Sequence, residues 1–189
     1  MKDARIKKWE KLEYSSPRKA LLDFRKVEES HDFSTTAYEI SSLRTHELRP
    51  WNEERQLALF CYGISTILES DVAYWFGEDD DYDGIVLTDE GFSPIQLKEL
   101  PPEWLGNPRE LEQELEKLKN KYSGGDVIVA YYLNRSLLGF DWREVVVPEL
   151  DVAELWFFGA LSPDGNKWFI SGDMLKNPQG FEFDYPVNV

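Results

Sequence analysis

Residues 83–98 decide the fold, and they read Asp-Gly-Ile-Val-Leu-Thr-Asp-Glu-Gly-Phe-Ser-Pro-Ile-Gln-Leu-Lys. An apolar run at 84–87 has the character of a short strand, and residues 92–97 resume that character after a break. The break at 88–91 contains aspartate and glycine, which tight turns favour. The stretch therefore predicts a β-hairpin.

Three polar side chains occupy defined positions in this hairpin. Side chains alternate between the two faces of a strand, so Gln96 and Lys98 point the same way. Asp83 lies at the start of the partner strand. We therefore expect a carboxylate, an amide and an ammonium group to converge at one edge of the sheet. This combination suits a divalent-metal site that cuts phosphodiester bonds.

The segments around the hairpin alternate between helix and strand patterns. Apolar residues at the helical period predict a helix from Asn52, a candidate N-cap, to about Glu69. The continuous apolar run 127–133 predicts a strand buried on both faces. The remaining predicted elements are a strand at 72–76, a helix opened by a capping box at 107–110 and a terminal hairpin of strands 155–161 and 167–171. The fold class is α/β, a mixed β-sheet flanked by helices.

The length of 189 residues predicts a single domain with a substantial core. Within it we expect a helical N-terminal extension at 1–50, including a short helix around 36–43. A core follows at 51–135, and C-terminal strands at 136–189 complete the sheet. No internal repeat, linker or low-complexity segment interrupts the chain.

The order helix, strand, strand with Asp83, strand with Gln96-Leu97-Lys98, helix, strand resembles the PD-(D/E)XK nuclease superfamily. This resemblance covers about residues 52–135 and implies a restriction-endonuclease-like αβββαβ core. It also implies that Asp83 and Gln96 ligate Mg²⁺ or Mn²⁺ and that Lys98 positions or activates the attacking water. The upstream helix carries Glu53 and Glu54, and the resemblance implies that Glu54, or else Glu53, completes the metal shell. The implied activity is hydrolysis of DNA phosphodiester bonds.

Two positions depart from the pattern of that superfamily. Tyr82 stands where the family has proline, and Gln96 stands where most members carry an acidic residue. A neutral amide is a weaker metal ligand than a carboxylate, and this motivates an alternative. In the alternative, the chain is a catalytically inactive nuclease-like fold that serves as a protein-interaction module, or as an acidic mimic of DNA.

The charge distribution bears on the partner. The chain has a net charge of −15, which disfavours binding to phosphate. Residues 1–26 nevertheless carry a net charge of +5, and the rest of the chain carries −20. We therefore expect DNA to contact residues 1–26 and the edge that holds Asp83 and Lys98. An ordinary solvated amphipathic helix is the other interpretation of the basic segment, and a homodimer or a protein partner also stays open.

Several other classes of protein are disfavoured. No apolar run is long enough to span a membrane, and the charged N-terminus does not resemble a secretory signal, so we expect a cytoplasmic protein. The single cysteine, Cys61, lies in an apolar helical run and predicts a buried, inert thiol. His31 and His46, with that cysteine, do not form a zinc-binding pattern.

Overall fold

The structure is a computed structural model that describes residues 2–30, 49–79, 82–103, 110–119, 121–122, 124–137, 139–176 and 178–187. Its helices are α1 (Lys2–Trp9), α2 (Pro17–Ser30), α3 (Arg49–Leu68), α4 (Leu111–Glu116) and a 3-10 helix (Trp142–Glu144). Its strands are β1 (Ala73–Asp79), β2 (Tyr82–Thr88), β3 (Gly91–Leu100), β4 (Ile128–Leu133), β5 (Glu154–Ala160), β6 (Lys167–Gly172) and β7 (Gln179–Asp184). The predicted helix around 36–43 and most of the predicted capping box at 107–110 lie outside the described residues.

Seven strands form one mixed sheet in the order β1-β2-β3-β4-β5-β6-β7. Strand β4 pairs in parallel with both β3 and β5, whereas β5, β6 and β7 pair antiparallel. A parallel partner requires a crossover connection, and α4 lies in the connection between β3 and β4. The predicted α/β class and mixed sheet are confirmed.

The predicted hairpin at 83–98 is confirmed as strands β2 and β3. Only Asp89 and Glu90 separate the two strands. Gly91 follows them with a φ of 118°, a backbone conformation that favours glycine over residues with a side chain. A two-residue connection fixes the register and places position 83 opposite position 96.

The predicted terminal hairpin is confirmed as β5 and β6, and a third strand extends it. Strand β7 pairs with β6 over its whole length, from Lys167 opposite Asp184 to Gly172 opposite Gln179. We did not predict β7 from the sequence. Its residues, Gln-Gly-Phe-Glu-Phe-Asp, contain two apolar side chains among polar ones, and only Phe183 is buried. Such a weak pattern gives little signal for an edge strand.

The chain divides into two compact units. The first comprises Met1–Gly77, Gly84–Phe92 and Pro186–Val189, and the second comprises Glu78–Asp83 and Ser93–Tyr185. In the first unit, the backbones of Ser15 and Tyr74 exchange hydrogen bonds of 2.7 and 3.0 Å, joining the start of α2 to β1. The core of this unit is centred on α3, whose segment 56–61 is buried throughout.

Helix α3 differs from the prediction at both ends. It begins at Arg49 rather than with Asn52 as its cap. The Arg49 guanidinium pairs with Glu53 one turn later at 2.7 Å, and Pro50 is tolerated in a first turn, so both residues support the earlier start. At the other end, Leu68 is 53% exposed although it lies four residues after the buried Ile64 and so continues the helical spacing of that face. The predicted burial of Cys61 is confirmed, and burial raises the pKa of its thiol.

The second unit is built on strand β4, all six residues of which are buried. One face of β3, β4 and β5 packs against leucines of the α4 region in a single apolar cluster, whose members include Leu100, Leu111, Leu115, Leu118, Val129, Tyr131, Leu133 and Phe157. On the opposite face, Tyr132 stacks on Phe158 with ring centroids 5.3 Å apart and on Trp168 at 6.1 Å. The prediction of a strand buried on both faces is confirmed.

Strand β7 gives a direct test of packing at the end of the sheet. A Cβ atom at Gly180 would lie 2.6 Å from Nε1 and 2.9 Å from Cε2 of Trp142. We expect Gly180→Ala to lower the free energy of unfolding by about 1–3 kcal/mol, because the indole must shift. Urea denaturation measures this change. In a Trp142→Ala background the same glycine substitution should cost much less, and an equal cost in both backgrounds would contradict the packing.

Candidate metal and phosphodiester site

The carboxylate of Asp83 is the centre of the candidate site. Its Oδ2 atom accepts a short hydrogen bond from the Nε2 amide of Gln96 and a second, of 2.7 Å, from the backbone N–H of Leu97. Gln96 is only 9% exposed, so its side chain is largely removed from water. The structure therefore brings together two of the four predicted site residues, on adjacent strands, as the hairpin register requires.

Lys98 shares a face of β3 with Gln96. The register pairs Gln96 with Val129 and Lys98 with Tyr131, and register partners in a sheet point to the same face. Val129 and Tyr131 belong to the apolar cluster under α4. The ammonium of Lys98 thus extends from a half-buried position on the same side of the sheet as Gln96.

Glu54 lies on α3, in the first unit, whereas Asp83, Gln96 and Lys98 belong to the second. Its Oε1 atom accepts a hydrogen bond of 3.3 Å from the hydroxyl of Tyr74. Burial of the phenol and the adjacent Glu54 carboxylate both raise the pKa of Tyr74. The neighbouring Glu53 pairs with Arg49. A place for Glu54 in a metal shell stays a prediction.

The donor set determines how a metal ion fits. Among the described residues, no group of three or more histidine, cysteine, aspartate or glutamate side chains is placed to hold a metal ion. Mg²⁺ is, however, often held by one or two carboxylates, with water and substrate phosphate completing the shell. Asp83 supplies one carboxylate, and a half-turn of the terminal amide would turn the oxygen of Gln96 toward it. Asp83 and Gln96 thus supply the smallest set of protein ligands that Mg²⁺ commonly uses, and no more.

Basic residues that a phosphate backbone would use have partners within the chain. The Arg18 guanidinium donates to the carbonyl of Val187 at 2.8 Å, and Lys26 pairs with Asp23 at 2.8 Å. Just after α4, Lys117 and Lys119 pair with glutamates three residues earlier. These exposed pairs are weak, so they leave a DNA contact by residues 1–26 as a prediction.

The residues that end β4 have structural partners as well. The side-chain amide of Asn134 donates to Glu99 at 2.8 Å, and the guanidinium of Arg135 donates to the carbonyl of Pro101 at 3.0 Å. These contacts tie the end of β4 to the end of β3. Both residues therefore have a structural role at this end of the sheet.

One contact of the site was not predictable from residue types. The backbone N–H of Leu97 binds Asp83, but every residue other than proline offers such a group, so the sequence carries no signal for it. The hairpin register was the available signal, since it places position 97 next to the partner of position 83. A side chain that accepts two N–H groups stabilises the hairpin whether or not it binds a metal ion.

Substitutions at Asp83 measure how much its hydrogen bonds stabilise the fold, apart from any metal binding. We expect Asp83→Ala to lower the free energy of unfolding by about 1–3 kcal/mol, because the buried amide of Gln96 and the N–H of Leu97 lose their acceptor. Asp83→Asn keeps one acceptor oxygen and should cost less. Urea denaturation checks both values. Asp89→Ala, in the exposed turn, is the control and should stay within about 0.5 kcal/mol of the parent. Equal stabilities for all three variants would contradict the described contacts.

The chain was also compared with known proteins. It matches no family model, no curated protein and no solved structure. Among the described residues, no helix is both long enough and apolar enough to cross a membrane. The resemblance to the PD-(D/E)XK superfamily therefore rests on the residues and their arrangement in this chain.

Proposed function

We propose that this protein is a divalent-metal-dependent, endonuclease-like protein that hydrolyses DNA phosphodiester bonds. The observation that carries the proposal is the direct contact of Asp83 with Gln96, with Lys98 on the same face of β3. A carboxylate and an amide side by side, with an ammonium group two residues further along the same strand, supply both metal ligands and a cation for phosphate.

The order of the elements supports a nuclease-like core. Helix α3 is followed by strands β1, β2 and β3, then by α4 and β4, and β3 pairs in parallel with β4. This is the helix, three strands, helix, strand order that the resemblance implies. The support is architectural, and fold alone does not establish an activity.

Each side chain has a distinct part in the proposed reaction. Asp83 and the amide oxygen of Gln96 would hold Mg²⁺ or Mn²⁺, which supplies polarisation of the phosphate and acidification of water when bound. Lys98 would stabilise negative charge that develops on the phosphate oxygens. The burial of Gln96 limits competing water and so strengthens these interactions. The basic residues of segment 1–26 would hold the DNA backbone.

A second candidate function is a nuclease-like fold without catalysis that binds a protein or mimics the charge of DNA. A specific observation favours it. Oδ2 of Asp83 already accepts two N–H groups, so the pair is satisfied without a cation. The net charge of −20 after residue 26 is also compatible with an acidic decoy.

Metal titration and plasmid nicking decide between the two candidates. We expect the wild type to bind Mn²⁺ in calorimetry and to nick supercoiled DNA only when metal is present. Asp83→Asn should lose both metal binding and nicking. Lys98→Ala should keep metal binding, and its nicking rate should fall by about a hundredfold or more. Lys176→Ala removes an exposed lysine that pairs with Asp173, to which no part in the reaction is assigned, and is the matched control.

Two results would count against the proposal. Nicking that persists in Asp83→Asn would assign the cleavage to another site or to a contaminant. Failure of the folded wild type to take up Mn²⁺ or Mg²⁺ both alone and in the presence of a DNA duplex would remove the proposed enzyme and leave the non-catalytic candidate. Circular dichroism of each variant establishes that a loss of activity is not a loss of fold.

A further inference from the structure

The first unit contains a cavity whose lining does not include Asp83, Gln96 or Lys98. Its volume is about 560 Å³, and its lining comes from segment 14–27, at and before α2, and from the first turns of α3. This volume lies within the range of roughly 300–1,000 Å³ that is typical of small-molecule sites. The cavity is therefore large enough to hold a small organic ligand.

Aromatic side chains form a large part of the lining. Phe24 and Trp51 have ring centroids 5.7 Å apart and planes inclined at 79°, so they meet as a corner rather than as a flat stack. Tyr14 contributes a third ring. Trp51 is 43% exposed, although an indole of this size is usually well covered. Its ring therefore offers accessible aromatic surface, which attracts cations.

The charged side chains of the lining favour a cation as well. Among the described residues of the lining, they are the carboxylates of Asp23 and Glu54 and the ammonium of Lys19. The hydrogen bond from Lys26 lowers the pKa of Asp23, so that this carboxylate stays ionised at neutral pH. Burial raises the pKa of Tyr14 to about 12, so the phenol stays neutral. Asp23 is already paired with Lys26, whereas Glu54 accepts a hydrogen bond from the neutral phenol of Tyr74, so Glu54 is the carboxylate whose charge a cationic ligand would balance.

We propose that this cavity binds a small organic ammonium cation, of the quaternary or fully alkylated amine class. The ammonium group would lie against the rings of Trp51 and Phe24, with Glu54 as its counter-ion. A neutral apolar ligand would leave the carboxylate of Glu54 without a counter-ion. A compact metal ion would gain little from the aromatic corner. The proposal depends on residues of the first unit, and it requires neither metal binding nor cleavage at Asp83, although Glu54 belongs to both hypotheses.

Choline and its neutral isostere 3,3-dimethylbutan-1-ol test the proposal on the full chain. The two molecules have nearly the same shape, so calorimetric titration isolates the effect of the charge. We expect saturable binding of choline that is about tenfold tighter than binding of the isostere. Equal affinities, or no saturable binding of choline, would overturn the proposal.

Matched variants locate the site. Trp51→Leu and Glu54→Gln should each weaken choline binding about tenfold, while Glu53→Gln should leave it unchanged. Glu53 is adjacent on the same helix, pairs with Arg49 and does not line the cavity. Trp51 is partly exposed, and a glutamine at 54 still accepts from Tyr74, so we expect both variants to fold. Unchanged affinity in folded Trp51→Leu would place any choline binding elsewhere and overturn the assignment.

Discussion

The complete burial of β4 between two parallel neighbours is the constraint on which the second unit depends. A strand buried on both faces must be covered on both sides, and a parallel neighbour must be reached by a crossover. The α4 region lies in the crossover, and it also covers one face of β4, where its leucines pack on β3, β4 and β5. The stacked rings of Tyr132, Phe158 and Trp168 fill the opposite face. Because β3 is held in register by β4, Gln96 and Lys98 can point only to the side that α4 covers.

The same constraint explains which elements were predictable from the sequence. The hairpin of β2 and β3 has local causes, namely a short turn and a glycine with positive φ, so its existence and register follow from nearby residues. The uninterrupted apolar run of β4 signals burial by itself. The parallel pairing of β4 with β5 and the third terminal strand β7 depend on long-range pairing and leave no comparable local pattern. The early start of α3 reflects an ion pair and a proline in its first turn. The prediction missed it because Asn52 has the residue type of a helix cap.

The candidate site was partly predictable for a related reason. Contact between Asp83 and Gln96 follows from hairpin register, which the sequence encodes. A place for Glu54 requires knowledge of how a distant helix lies, and periodicity on α3 cannot supply it. The cavity lined by Trp51 and Phe24 was also absent from the prediction, because its walls come from two segments that are separated in the chain. The spacing of aromatic residues within one segment does not reveal such a corner.

The glutamine at position 96 determines the electrostatics of the proposed metal site. Two carboxylates in direct contact repel each other, so a second acidic residue here would require a cation or a proton to be stable. The amide instead donates to Asp83, and the pair is satisfied in the absence of metal. This arrangement stabilises the hairpin by itself, and for the same reason it would weaken the proposed binding of Mg²⁺. In the proposed site a metal ion would compete with these two N–H donors, and water and substrate phosphate would have to supply part of its shell. Metal affinity in such a site is therefore expected to depend on bound DNA more strongly than in a site built from two or three carboxylates.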